Sequence, residues 1–247
     1  MFENNDIYSE FTENNYRTLI ELAKQKLKFR FFSSRPLKGK EILLRHDVDF
    51  SPQRARALAR IENEVKIGAT YFFRVRGADY SILDSQVQRI IHEITGLGHE
   101  IGLHFESEDL DISEELILVK LQNDKNLFEL ITGINSKVFS FHNPTKLMMT
   151  MRNTQYSEMI NAYAKIHFNL TNYVSDSNGY WRFRSFKDVL IDPNTKKLQV
   201  LIHPEWWTPE PLSPRERIWR AHIGRANNAH QRYIELLEFL GRTDQEK

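Results

Sequence analysis

Two aspartates, Asp47 and Asp49, close an apolar segment in the string His46-Asp47-Val48-Asp49. On a β-strand that spacing puts both carboxylates on one face. One of them can bind a cation while its neighbour takes a proton from the water that the cation activates. The unreactive alternative pairs Asp47 with Arg45 and lets Asp49 cap the helix entered at Ser51, and so short a pattern recurs by chance. About fifty residues later comes a second polar string, Gly98-His99-Glu100-Ile101-Gly102-Leu103-His104-Phe105-Glu106. Its His104 ends a strand rich in glycine, which permits close approach of backbone or ligand. His142 and His203 also sit at predicted strand ends, and imidazole titrates where it can donate a proton to a departing amine. Trp206 and Trp207 follow His203, either as a flat wall for a sugar ring or as a plug in a barrel mouth. His99 is read as a packing residue facing the other side, and His92, His167, His222 and His230 as surface or packing residues.

The elements that must position these groups alternate. Residues 13–29 read as a peripheral helix, followed by an apolar strand over 41–49. Ser51-Pro52 is a helix start, serine capping and proline tolerating the first turn. That helix runs to about Lys66, and Gly68 ends it. Strands are predicted over 69–75, 100–104, 137–141, 168–174 and 198–203. Helices are predicted over 87–94, 113–132, 155–164, 186–190 and 211–240. Such alternation argues for a parallel sheet with helices outside, closed as a barrel or open and doubly wound. In both, function gathers at the carboxyl ends of the strands, where Asp47, Asp49, His104, His142 and His203 all fall. The first strand is not followed by a glycine-rich phosphate loop, which counts against a nucleotide-binding Rossmann domain.

Composition narrows the class. The chain has 247 residues, 40% hydrophobic and 27% charged, with no repeat or linker-like stretch, so it reads as one globular domain. It contains no cysteine, which excludes disulfides and thiolate chemistry and fits a reducing compartment. A net charge of +1 gives no bulk electrostatic case for nucleic acid. No run approaches the roughly 18 apolar residues of a membrane span. The polar, acidic start Met1-Phe2-Glu3-Asn4-Asn5-Asp6 is unlike a secretory leader, so the expectation is a cytoplasmic protein.

At these residues the chain resembles the polysaccharide deacetylase (NodB-homology) family, over about Ile42 to Trp207. The carrying strings are the opening aspartates, Gly-His-Glu-Ile-Gly-x-His at 98–104 and Leu-x-His at 201–203, in the family's order. The resemblance implies a distorted (β/α) barrel of about six to seven parallel strands, with peripheral N- and C-terminal helices. It also implies a divalent-metal hydrolase that cleaves N-acyl groups from sugars. Carried over, Asp47 resembles the general base, Asp49 and His104 metal ligands, and His203 the general acid. Asp176 and Trp181 lie near the family's late Asp/Trp motif, which tunes the acid histidine and walls the site; Trp206 is a further wall candidate.

Two departures follow. The family's second metal histidine, four residues after the first, is here Glu108, leaving His142, Glu106 or Glu108 to complete the coordination, with His142 preferred. An Asp-His-His set suits zinc, with cobalt or nickel also open; an added carboxylate leaves iron or manganese open. The family's arginine that orients the base is replaced by His142, so Arg45 or Arg74 must substitute; if neither does, His142 holds Asp47 and is no ligand. The expected substrate is a small or lipid-linked N-acetyl or N-formyl sugar in surface-polysaccharide biosynthesis. The competing reading is a non-catalytic barrel that binds sugar or a partner. The arginines of the last helix, interspersed with Glu216, Glu235 and Glu238, read as a solvated face.

Overall fold

A computed structural model describes residues 8–34, 36–107, 111–168, 173–181 and 184–243. Helix α1 (Glu13–Lys26) precedes strands β1 (Lys28–Arg30) and β2 (Glu41–Val48). Then follow α2 (Pro52–Val65), β3 (Thr70–Phe73), α3 (Ser85–Gly96), β4 (Glu100–Phe105), α4 (Glu114–Thr132) and β5 (Val138–Phe141). The second half holds α5 (Lys146–Thr150), β6 (Gln155–Tyr156), β7 (Met159–Asn161), α6 (Lys165–Phe168), β8 (Tyr173–Ser175), α7 (Phe186–Ile191), β9 (Lys197–Ile202) and α8 (Pro214–Phe239). Among the described residues these strands form one nine-stranded sheet in the order β6-β7-β5-β4-β3-β2-β9-β8, with β1 beside β2. Every pairing is parallel except β6 with β7. The expected distorted barrel is therefore present as a curled half-barrel with flanking helices. It has more strands than the six to seven expected, because β1 and the short β6-β7 hairpin extend it.

Local chemistry sets the helix ends. Ser51 accepts from Arg54 N at 3.2 Å with Pro52 in the first turn, so Ser51, and not Asp49, caps α2. Ser113 caps α4, and Ser213 with Glu216 forms a reciprocal capping box on α8. The helix expected over 155–164 is instead the β6-β7 hairpin. Its turn is Ser157-Glu158, both at positive φ (47° and 61°), the twist that two-residue hairpins need. The hairpin survives because β7 pairs with β5 and Asn161, fully buried, donates to Met151 O at 2.8 Å. Tertiary pairing overrides the helical period here.

The two faces of β2 carry different chemistry. Arg45 and Asp47 point into the curl, while His46 points out toward α1 and α2. There Glu62, 0% exposed, takes hydrogen bonds from His46 Nε2 (2.6 Å), Tyr71 Oη (2.7 Å) and Tyr16 Oη. His99 accepts at Nδ1 from Ala69 N (3.2 Å) and donates through Nε2 to Ala59 O (3.0 Å), the packing role expected of it. Burial favours the neutral form of Glu62, but the His46 charge and hydrogen bond outweigh it and hold the carboxyl below its ordinary range. Inside the curl, Gly102 of β4 leaves room for the Phe72 ring. A Cβ there would lie 2.5 Å from Phe72 Cε1 and 2.9 Å from Val138 Cγ2.

Two stability outcomes follow. Glu62→Ala strands His46 and two tyrosines, and should cost about 3–5 kcal/mol in urea denaturation. His167 is 3% exposed, and burial lowers its pKa from 6.5 to about 4. Between those values the unfolded chain binds a proton that the folded ring refuses. Stability should therefore fall as pH drops from 6.5 to 4, by on the order of 3 kcal/mol. His167→Phe should flatten that slope in denaturation curves taken across the window.

Candidate metal centre

Four strand ends converge. In a flat sheet the three spacings from β2 to β5 would hold Asp49 and His142 about 14 Å apart. The curl instead brings His142 Nε2 to 3.6 Å from Asp49 Oδ2. His104 Nε2 lies 3.0 Å from Asp49 Oδ1, and His203 Nε2 3.8 Å from Asp49 Oδ2. Asp49, His104 and His142 each offer a ligand atom, all within 4.8 Å of one another. Zinc ligands at roughly 2.0–2.1 Å in a tetrahedron stand about 3.3 Å apart, which the aspartate–histidine distances approach.

The outer atoms of both rings are held. His104 Nδ1 lies 2.7 Å from Ser140 Oγ, whose own proton can go to Asp47 Oδ1 at 3.5 Å. His142 Nδ1 lies 2.9 Å from Glu106 Oε1. With each Nδ1–H engaged, each Nε2 presents a lone pair; Asn143 Nδ2 donates to that of His142 at 3.2 Å. A cation among them would take both Nε2 lone pairs and the carboxylate in place of the His104–Asp49 hydrogen bond and the Asn143 contact. The donor set therefore fits a divalent ion, with Ser140 and Glu106 as the outer partners that orient ligating histidines.

Asp47 and His203 flank this point. Arg45 grips Asp47 with Nε to Oδ1 (2.7 Å) and Nη2 to Oδ2 (2.6 Å), and lies against the rings of Phe72 and Tyr163. Arg45 thus stands where an arginine was required, which leaves His142 free to ligate. Burial would raise the Asp47 pKa, but the charge and hydrogen bonds of the Arg45 guanidinium, with His203 beyond, hold it below the ordinary carboxylate range. Arg74 serves elsewhere, donating to Asp49 O and to Glu106 Oε2 at 3.2 Å. His203 Nδ1 lies 2.7 Å from Asp176 Oδ1, and Asp176 also takes His203 N and, at 2.8 Å, Trp207 Nε1. Burial would lower the His203 pKa, but the hydrogen bond and charge of Asp176, with Asp49 beyond, push it up to about 10. At neutral pH this ring carries a proton on the nitrogen facing the site.

The remaining candidates lie as follows. Glu106 stands behind His142. Glu108 lies outside the described residues. Trp181 stacks on Phe11 at 5.4 Å and tilts toward Trp207 at 6.1 Å, and Trp206 is buried against Gly179. Both pack inward, and neither lines the polar cavity of about 230 Å³ beside His104, which Glu106, Arg76, Lys120 and Asp124 border. Ser140, Tyr163 and Glu205 were missed by sequence reasoning, and Trp207, weighed as wall or plug, instead donates to Asp176. Ser140 carried a usable signal, a hydroxyl between Phe139 and Phe141 on the face that β5 shares with the site.

No family model and no curated protein matches the chain. Solved structures do. A family 4 acetyl xylan esterase from Clostridium thermocellum, in complex with a cobalt ion, is 16% identical with a TM-score of 0.40, covering 82% of this chain and 92% of its own. The peptidoglycan deacetylase PdaC from Bacillus subtilis is 15% identical (TM-score 0.44; 80% and 95%). The chitin deacetylase of Colletotrichum lindemuthianum is 12% identical (0.42; 73% and 80%). Likenesses of this size fix neither activity nor substrate.

Metal binding separates ligand from support. Purified protein should take up one zinc ion per chain, lost in His142→Ala. Glu106→Gln should retain the ion with about 10–100-fold weaker affinity in chelator competition. The reverse pattern would make Glu106 the ligand.

Proposed function

We propose that this chain is a metal-dependent amidohydrolase that removes an N-acyl group, acetyl or formyl, from an amino sugar. One observation carries the reading: a three-residue candidate ligand set lies between a carboxylate gripped by Arg45 and an imidazole held by Asp176. A divalent ion held by Asp49, His104 and His142, zinc foremost, would polarise the acyl oxygen and acidify water. The rest is done by side chains.

Asp47 is ionised at neutral pH, and Arg45 fixes its orientation through two parallel hydrogen bonds. It accepts the proton of the attacking water as the new C–O bond forms. His203 is held by Asp176 with its Nε2 toward the site. It gives its proton to the nitrogen as the C–N bond breaks, so amine leaves neutral and carboxylic acid is formed. Arg45 and Asp176 are the positioning residues for base and acid, one on each side. The reading of a non-catalytic barrel was motivated by the missing second histidine of the string at 98–108; His142, with Nε2 3.6 Å from Asp49 Oδ2, offers a nitrogen in its place. A cytoplasmic place in surface-polysaccharide synthesis is the setting we propose, on the lack of cysteine.

Activity tests the assignment. Zinc-loaded protein assayed on N-acetyl and N-formyl amino sugars should release acid, and EDTA should abolish release until zinc is restored. Asp47→Asn and His203→Gln should each lower kcat by about 10²–10⁴-fold while keeping the metal. Near-normal turnover in either variant removes that residue from its role.

A further inference from the structure

A second cavity, of about 240 Å³, opens between the start of α2, the segment after β9 and the first turns of α8. Four arginines wall it: Arg54, Arg217, Arg220 and Arg225. Arg54 and Arg225 already have acids, Glu13 and Asp79. Arg217 and Arg220 have none among the described residues. Arg217 is 2% exposed, its Nη2 donates to Tyr8 O, and its Nε and Nη1 are buried without a partner. Unmatched buried guanidinium donors are costly, and a like charge alongside adds to the cost. Arg220 is such a neighbour of Arg54, whose pKa is lowered by burial first and, against the raising effect of Glu13, by the Arg220 charge. The amino end of α2 faces the same space through Ser51, Gln53 and Arg54, adding the positive end of a helix. The cavity has far more room than the roughly 10–15 Å³ that one water requires.

Two of its lining residues follow site residues closely along the chain. Glu205, 1% exposed and with both carboxyl oxygens unpartnered, lines the cavity two residues after His203. Ser51 lines it two residues after Asp49. The cavity thus adjoins, through Ser51 and Glu205, the chain segments that carry the metal-facing residues, although none of Asp49, His104, His142 or His203 lines it.

We propose that this cavity binds the phosphate ester of a phosphorylated amino-sugar substrate, nucleotide-linked or lipid-linked. Arg217 and Arg220 are the principal phosphate ligands. Guanidinium matches phosphate oxygens in a fork, and two cations without counter-ions are what a dianion neutralises. This substrate class rests on the hydrolase reading, but the binding site does not.

Binding is therefore measured without catalysis. Full-length protein stripped of metal is titrated calorimetrically with pyrophosphate and with uridine diphosphate. It is also sedimented with phosphatidylcholine vesicles that contain or lack a polyprenyl phosphate. Wild type should bind at least one phosphate probe. Arg217→Met and Arg220→Ala should each weaken it about tenfold or more, and Arg220→Lys should recover part of the loss. Binding of the diphosphates identifies a nucleotide-linked source; retention only on polyprenyl phosphate vesicles identifies a lipid-linked one. If Arg217→Met fails to fold, the exposed Arg220 decides alone. No binding to any phosphate probe, or binding unchanged by Arg220→Ala, overturns the proposal. Loss of amidase activity with phosphate binding intact overturns only the hydrolase reading.

Discussion

The curl of the sheet is the constraint on which everything else depends. Asp49, His104, His142 and His203 leave the ends of β2, β4, β5 and β9, which a flat sheet would spread far beyond any common contact. Curling brings three of these side chains into one ligand set and the fourth within 3.8 Å of it. Side-chain choice supports the bend. Gly102 makes way for Phe72, and Phe72 underlies Arg45, which in turn grips Asp47. A glycine in β4 is thereby linked by packing to the orientation of a carboxylate on β2.

Strand β2 is buried on both faces, yet it carries charge on each. Inward, Arg45 and Asp47 neutralise each other through two hydrogen bonds. Outward, His46 meets Glu62 within a ring of tyrosine hydroxyls. A buried ion pair adds little net stability, since desolvation offsets attraction, but it fixes geometry because any displacement uncovers a charge. β2 is therefore pinned in register by polar contacts on both sides. That is a fitting property for the strand that presents both aspartates.

Much of the site was legible in the chain. Period-two spacing put Asp47 and Asp49 on one face, and histidines at strand ends named His104, His142 and His203. The choice among His142, Glu106 and Glu108 was not legible, because it turns on which atoms of neighbouring strands meet. Glu106 looked like a ligand by alternation, but in the fold it backs His142. Trp207 read as a wall or a plug because nothing local shows that its indole nitrogen reaches Asp176. Glu62 sits in a helix of mixed polarity, where an acid reads as solvated until α1 covers it. The β6-β7 hairpin escaped because Ser157-Glu158 lacks the Asn-Gly or Asp-Gly signature, and its stabilising partner β5 lies far back in sequence.

Asp79 is shared by two guanidiniums. Arg74, which also grips the main-chain oxygen of Asp49, meets it at 3.4 Å, and Arg225 of α8 meets it at 3.0 Å. Most of the last helix stands exposed beyond that point. The tether nevertheless ties its first half to the loop that carries the cation-facing aspartate. Cutting the chain before Arg225 would leave the sheet's pairing whole yet slacken that loop, so a region remote from the chemistry in sequence acts as its tensioner.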